Sequence, residues 1–317
     1  MTKAMFAAVS VSVALACAAH PNDYKADVST PEKKAAVQEA LWRHDTSRDV
    51  VIWPADRLGE GAVENPYSFG DWELKEKNVI VVKMRNPQFT FFPADEAGAR
   101  PCVVVFPGGG YRQLGWNKEG TEVAEWLNTI GFSAAVLLYR TDDRDGALAD
   151  AQRTIGLLRR DAAKYNIDPK RVGVIGFSAG ANLAVRTSTN WRKRIYERVD
   201  DADDQPCRPD FMMPIYPWDL RPKGPDGKWT GMKLDAKYPV DSETPPAFIA
   251  QSIDDFCQIE TATSLDLALR RAGVASELHI YQNGGHGYGL RRLGRLTDTW
   301  SCEAVGWLAR FADPVAR

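Results

Sequence analysis

From Cys102 to Phe311 the chain alternates short apolar runs with longer stretches of helical periodicity. Cys102–Phe106 (CVVVF), Ser133–Tyr139, Val172–Gly176, Phe211–Tyr216, Ala247–Ile253 and Glu277–Tyr281 read as strands. Glu119–Ile130, Ala147–Tyr165, the segment from Ala179, Thr261–Ala272 and Thr297–Phe311 read as helices. The Cys102 run lacks the polar/apolar alternation of a strand with one wet face, so it must be covered on both. Strands separated by helices pair in parallel through crossovers. The fold class is therefore α/β, a mostly parallel central sheet with helices on both faces. Upstream, Asn78–Met84 and Gln88–Phe92 are rich in β-branched and aromatic residues and read as an edge meander. Residues 192–245, rich in Asp, Pro, Lys and Trp, break the alternation and read as a loop-rich insertion over the active-site face, where specificity is carried.

The N-terminus has a separate logic. Lys3 precedes the apolar run Ala4–Ala16, and Cys17, Ala18 and Ala19 follow. A positive residue, an apolar run and small residues make a secretory signal, with Ala16 and Ala18 at the small positions for cleavage after Ala18. The run is shorter than the ~20 apolar residues a membrane span needs. A second reading makes Cys17 the lipid-bearing cysteine of a bacterial lipoprotein, although Ala14 stands where such signals prefer Leu. The expected organisation is a leader at 1–18, a polar segment at 19–49 with helical pattern from Pro31, and one catalytic domain at 50–317. The expected location is periplasmic or secreted. Export would place Cys102, Cys207, Cys257 and Cys302 in an oxidising space, where four thiols allow three pairings. The alternative is burial as small apolar groups, which the strand around Cys102 favours. Forty Lys+Arg against 42 Asp+Glu give a net charge of −2, without the basic excess of a nucleic-acid binder. Oligomeric state is not written in the sequence.

Gly176-Phe177-Ser178-Ala179-Gly180 is a Gly-x-Ser-x-Gly motif between a strand (RVGVI) and a helix (ANLAV). A tight strand-to-helix turn lifts the serine hydroxyl above the sheet at a helix N-terminus, which favours developing negative charge. Phe106-Pro-Gly-Gly-Gly-Tyr111 follows the first buried strand. Its glycines let backbone N–H groups converge on an oxyanion, with Gly109 and Gly110 as the expected donors and Ala179 as the third. A phosphate-binding loop is disfavoured, because Tyr111-Arg112 stands where Gly-Lys-Ser/Thr would be needed.

A serine needs a base, and there are four histidines. His20 lies at the signal junction, His44 in the polar segment and His279 inside a strand. His286, in the loop Asn283-Gly-Gly-His-Gly-Tyr288, can reach a serine at the sheet's C-terminal edge. So few histidines, with no HExxH or CxxC spacing, speak against a catalytic zinc site. No metal or organic cofactor is expected. The acid should lie between serine and histidine in the chain, and the strand Ala247–Ile253 ends in Asp254-Asp255. Asp255 is the favoured partner, with Asp254 as a capping neighbour.

PGGGY, Tyr139-Arg140, GFSAG, Ile215-Tyr-Pro217, QSIDD and ELHIYQNGGHGYGL together resemble the α/β-hydrolase serine esterases, in their acetyl-esterase and acetylxylan-esterase-like branch, over residues 50–312. The resemblance implies an α/β-hydrolase fold and hydrolysis of acyl groups, often acetyl, from plant polysaccharides or oligosaccharides such as acetylated xylan. It also implies that the acid is the second of the two aspartates, Asp255. Pro107 replaces the His of the commoner HGGG loop, and Phe-Cys-Gln-Ile-Glu after Asp255 replaces Pro-Val-Val-Pro. Trp116, Trp191, Trp218 and Trp229 fall in expected loops around the site, where an exposed indole can stack on a sugar. The alternatives are a feruloyl or broad short-chain carboxylesterase, a peptidase of the same fold, and a non-catalytic carbohydrate-binding module on a hydrolase scaffold.

Overall fold

The computed structural model describes residues 25–41, 45–58, 67–68, 70 and 74–312. The expected leader 1–18, including Cys17, lies outside the described residues, as do His20 and His44.

The main sheet has eight strands. They are β1 (Asp49–Val51), β4 (Gln88–Phe92), β5 (Arg100–Phe106), β7 (Ser133–Leu138), β8 (Ile167–Phe177), β9 (Met212–Ile215), β10 (Ala247–Ser252) and β11 (Ser276–Tyr281). Their order is β1-β4-β7-β5-β8-β9-β10-β11. The pairs from β7 through β11 are all parallel, while β4 runs antiparallel to both β1 and β7. This is the α/β-hydrolase arrangement, a large mostly parallel sheet flanked by helices. Every residue of β7 and β10 is buried, as unalternating apolar strands require.

The flanking helices are α1 (Pro31–Leu41), α2 (Glu122–Thr129), α3 (Arg144–Arg160), α4 (Ala162–Tyr165), α5 (Ala179–Thr189), α6 (Ile259–Arg271) and α7 (Trp300–Ala312). Asp143 caps α3, its carboxylate accepting from the Gly146 N–H at 2.8 Å. Closing helix α7 is held to the sheet by aromatic edges. Trp300 packs on Trp126 and Phe177 at ring distances of 5.6 and 6.2 Å, and Trp307 on Phe211 and Phe248 at 5.8 and 5.9 Å. Among the described residues no helix is long and apolar enough to cross a membrane.

The structure corrects one local expectation. Asn78–Met84 and Gln88–Phe92 form no meander. The first contributes β3 (Ile80–Val82) to a separate three-stranded sheet with β2 (Tyr67–Ser68) and β6 (Gln113–Gly115). The second is committed to the main sheet, because β7 supplies a five-residue register from Gln88 to Phe92. Residues 192–245 are loop-rich as expected, on either side of β9, which falls within the expected strand Phe211–Tyr216. Cys102, Cys207 and Cys257 are buried free thiols.

Candidate active site

The turn from β8 into α5 places Ser178 at φ 54° and ψ −114°, a strained conformation outside the common regions. The motif's glycines are required by space. A Cβ on Gly176 would lie 2.1 Å from the Gly180 carbonyl oxygen, and one on Gly180 would lie 1.9 Å from that of Phe106. The Ser178 N–H donates to the Ile215 carbonyl at 3.1 Å, tying the turn to β9.

The structure brings Ser178, His286 and Asp255 into one hydrogen-bonded chain. His286 Nε2 lies 2.8 Å from Ser178 Oγ, and His286 Nδ1 lies 2.9 and 2.8 Å from the two Asp255 oxygens. The Asp255 carboxylate is fully buried and also accepts from Gln251 Nε2 at 2.9 Å and the Cys257 N–H at 2.7 Å. With those donors it is compensated for its loss of water. Asp254 has a different task. It accepts from the N–H groups of Gly285 at 2.8 Å and Gly284 at 3.3 Å, so it pins the loop that carries His286. Those amides hold its carboxyl below the usual range. Ser252 adds a hydroxyl donated to the Gly285 carbonyl at 2.6 Å. His279 sits apart in β11, stacked on Phe248 at 4.8 Å and bonded to Glu277.

Gly109 and Gly110 take φ of +135° and +66°, open to glycine and costly for other residues. Their N–H groups and that of Ala179 make no hydrogen bond to any described residue, and both glycines line the cleft with Ser178 and His286. Gly108 differs: its N–H donates to Glu119 Oε2 at 2.8 Å. Sequence reasoning missed the buried residue that receives it. Glu119 accepts through its other oxygen from the Tyr216 hydroxyl at 2.7 Å, and that hydroxyl accepts from the Gly289 N–H at 3.1 Å. One carboxylate thus links the glycine loop to the histidine loop. Burial, reinforced by Glu119, pushes the Tyr216 hydroxyl well up, so it stays a donor. The softer motifs gain a role here. Tyr139 donates to the Pro107 carbonyl at 2.6 Å, and Arg140 pairs with buried Asp150 at 2.6 Å. Cys257 was also missed: its sulfur lies 3.5 Å from His286 Nδ1. Burial and then Asp255 raise its pKa strongly, so it packs as a neutral thiol. No motif marks Glu119, Tyr216 and Cys257 as a group, because distant segments assemble them.

The cleft above Ser178 has a volume of about 910 Å³. Of the four tryptophans expected around it, Trp218 lines it. Trp116 is buried in the core against Tyr67, Trp191 lies beside Arg192 and Arg208, and Trp229 donates to Asp219. Trp218 carries Arg144 over its face at 4.8 Å.

The BD-FAE family matches residues 90–212. The acetylxylan esterase of Xylanibacter ruminicola is 29% identical over 244 residues, which is 71% of this chain and 48% of that protein. Endo-1,4-beta-xylanase B of Butyrivibrio fibrisolvens is 28% identical over 237 residues, 68% of this chain and 37% of that protein. The chain thus spans about half or less of the curated relatives it matches. An acetyl ester-xyloside bifunctional hydrolase from Caldicellulosiruptor lactoaceticus superposes with a TM-score of 0.68 at 30% identity, covering 84% of this chain and 97% of that one. Sheet and turn define an α/β hydrolase. The chain belongs to the α/β-hydrolase esterases, in their acetylxylan-esterase-like branch.

Proposed function

We propose that this chain is a serine carboxylesterase that removes acetyl groups from plant-polysaccharide or oligosaccharide esters such as acetylated xylan. The observation that carries the reading is the chain of 2.8 Å contacts from Asp255 through His286 to Ser178 at the floor of the cleft. Ser178 Oγ attacks the ester carbonyl while His286 Nε2 takes its proton. Asp255 orients the ring and stabilises its positive charge. The N–H groups of Gly109, Gly110 and Ala179 receive the oxyanion, where losing one donor typically costs ~2.7–4 kcal/mol of barrier. His286 then protonates the departing sugar hydroxyl, leaving acetyl on Ser178, and next takes a proton from the water that releases acetate. Glu119 and Tyr216 hold the two loops in register.

The substrate class is supported by the acetylxylan esterase and xylanase relatives and by Trp218, a flat apolar face in the cleft. Export is proposed from the leader at 1–18, with a lipid anchor at Cys17 as the second form, and residues 50–317 are proposed as the catalytic domain. Purified protein should release acetate from acetylated xylan and cleave p-nitrophenyl acetate faster than the butyrate. A preference for feruloyl esters would move the reading to a feruloyl esterase. Retention on a polysaccharide column with no ester cleaved would make it a binding module.

A further inference from the structure

We propose that the cleft takes a carbohydrate ester bearing a carboxylate, a uronic acid substituent close to the scissile ester, and that Lys118 recognises it. The inference deepens the carbohydrate-esterase reading and rests on it.

Lys118 lies in the single helical turn Asn117–Thr121 and lines the same cleft as Ser178 and His286. Its place is fixed by backbone. A Cβ on Gly289 would come within 2.8 Å of the Lys118 carbonyl oxygen and 3.3 Å of its Cγ. Its ammonium reaches the residue after the histidine: a Cβ on Gly287 would lie 3.9 Å from Nζ. The neighbouring carboxylates are committed elsewhere. Both Glu119 oxygens are taken by Gly108 and Tyr216, Glu122 pairs with Arg291 at 2.6 Å, and Glu76 pairs with Lys25. Among the described residues the Lys118 ammonium has no hydrogen bond or ion pair. It is half-buried, and burial pulls its pKa down. The fields of Glu119, Glu122 and Glu76 offset part of that cost, but none of these carboxylates bonds the ammonium, and a ligand carboxylate that does so gains a charge-assisted hydrogen bond.

The rest of the cleft agrees in sign. Arg112 lines it, exposed and likewise unpaired among the described residues, whereas Arg144 is engaged by Asp219 at 2.9 Å. Two acids also line the wall, exposed Asp142 and buried Glu119, and the Glu119 oxygens are already hydrogen-bonded, which leaves Lys118 and Arg112 as the groups free to bond an anion. A neutral acetyl sugar offers these cations only uncharged oxygen acceptors. A uronate places its carboxylate against three ammonium donors while its ring is free to lie on Trp218. Because Gly287 follows His286 directly, the acid belongs on the acylated sugar or its neighbour.

Two measurements on the full chain test this. Calorimetry on Ser178→Ala, which cannot turn over, compares a xylo-oligosaccharide carrying one glucuronic acid with the neutral oligosaccharide. Acetate release by the wild type compares the acetylated forms of both. The acidic ligand should bind about tenfold tighter, as a charged hydrogen bond allows, and show a similar excess in kcat/KM. That ratio should fall to near one in Lys118→Met, survive in Lys118→Arg and shrink as salt rises. Equal affinity and equal kcat/KM for the two ligands in the unsubstituted cleft would overturn the proposal. So would a Lys118→Met variant that weakens both ligands alike and leaves the ratio intact, the behaviour of a merely structural lysine. Acid preference in binding without any ester cleavage would sink the esterase reading and leave this site standing; cleavage without preference would do the reverse.

Discussion

Asp254 and Asp255 are adjacent carboxylates with different work. Asp255 points into the protein against His286, Gln251 and the Cys257 N–H, while Asp254 takes the amides of the loop that delivers the histidine. Asp255→Asn removes the group that fixes the imidazole tautomer and should lower kcat on p-nitrophenyl acetate by about 10⁴. Asp254→Ala leaves the ring's partner in place and should cost roughly tenfold, about 1.4 kcal/mol of barrier. Steady-state kinetics on both variants checks the order, and a larger loss for Asp254→Ala would reverse the assignment. Glu119 is a positioning residue of the same kind. Glu119→Gln keeps the shape, but its amide has a single accepting oxygen, so one charge-assisted bond becomes a neutral one, about half as strong, and at the other position a donor faces a donor. A fall in kcat with KM nearly unchanged is expected, because Gly108 orients the adjoining donors rather than the bound sugar.

The strand–turn–helix carrying Ser178 was readable from the chain because each of its parts leaves a local mark. The strand is a continuous apolar run, the turn needs glycines, and the helix has its own period. The steric numbers turn the motif into a prediction. Gly180→Ala drives a methyl into the Phe106 carbonyl at 1.9 Å, which only a backbone shift can relieve. Urea unfolding should show a loss of at least about 1–3 kcal/mol, and activity should fall with it. Elements whose partners are set by tertiary register were less readable. Strand β3 pairs with Gln113–Gly115, three residues with no strand signature of their own, so a meander with β4 was the natural and mistaken expectation. The tryptophans fail for a related reason. Composition marks them as large and amphipathic, but packing decides that Trp116 closes the core and Trp218 faces the cleft. Glu119 left no local mark because its two partners lie in the glycine loop and beyond β9.

Across the whole molecule, buried charge ties the N-terminal part and the first insertion loop to the sheet. Arg153 in α3 is buried, donates to the Ile52 carbonyl at 2.9 Å and pairs with Asp200 at 2.6 Å and Asp203 at 3.0 Å. The Arg153 guanidinium holds the Asp200 carboxyl down to about 2, from an ordinary value of 3.8. A depressed carboxyl stabilises the fold above its unfolded pKa, and that contribution is lost as pH falls through the folded value. The melting temperature should therefore drop between about pH 4 and 2, and Asp200→Asn should be less stable at neutral pH with a shallower acid decline. Equal slopes in thermal melts across that window would show that the pair does not link pH to stability. The architecture presents one serine to one histidine at the end of β8, and trapping that serine tests its role most directly. Wild-type protein treated with an organophosphonate ester and mapped by peptide mass spectrometry should carry one adduct, on Ser178, with esterase activity lost in proportion. His286→Ala should leave Ser178 unlabelled over the same time. An adduct on another residue, or a Ser178→Ala variant that keeps wild-type activity, would contradict the mechanism.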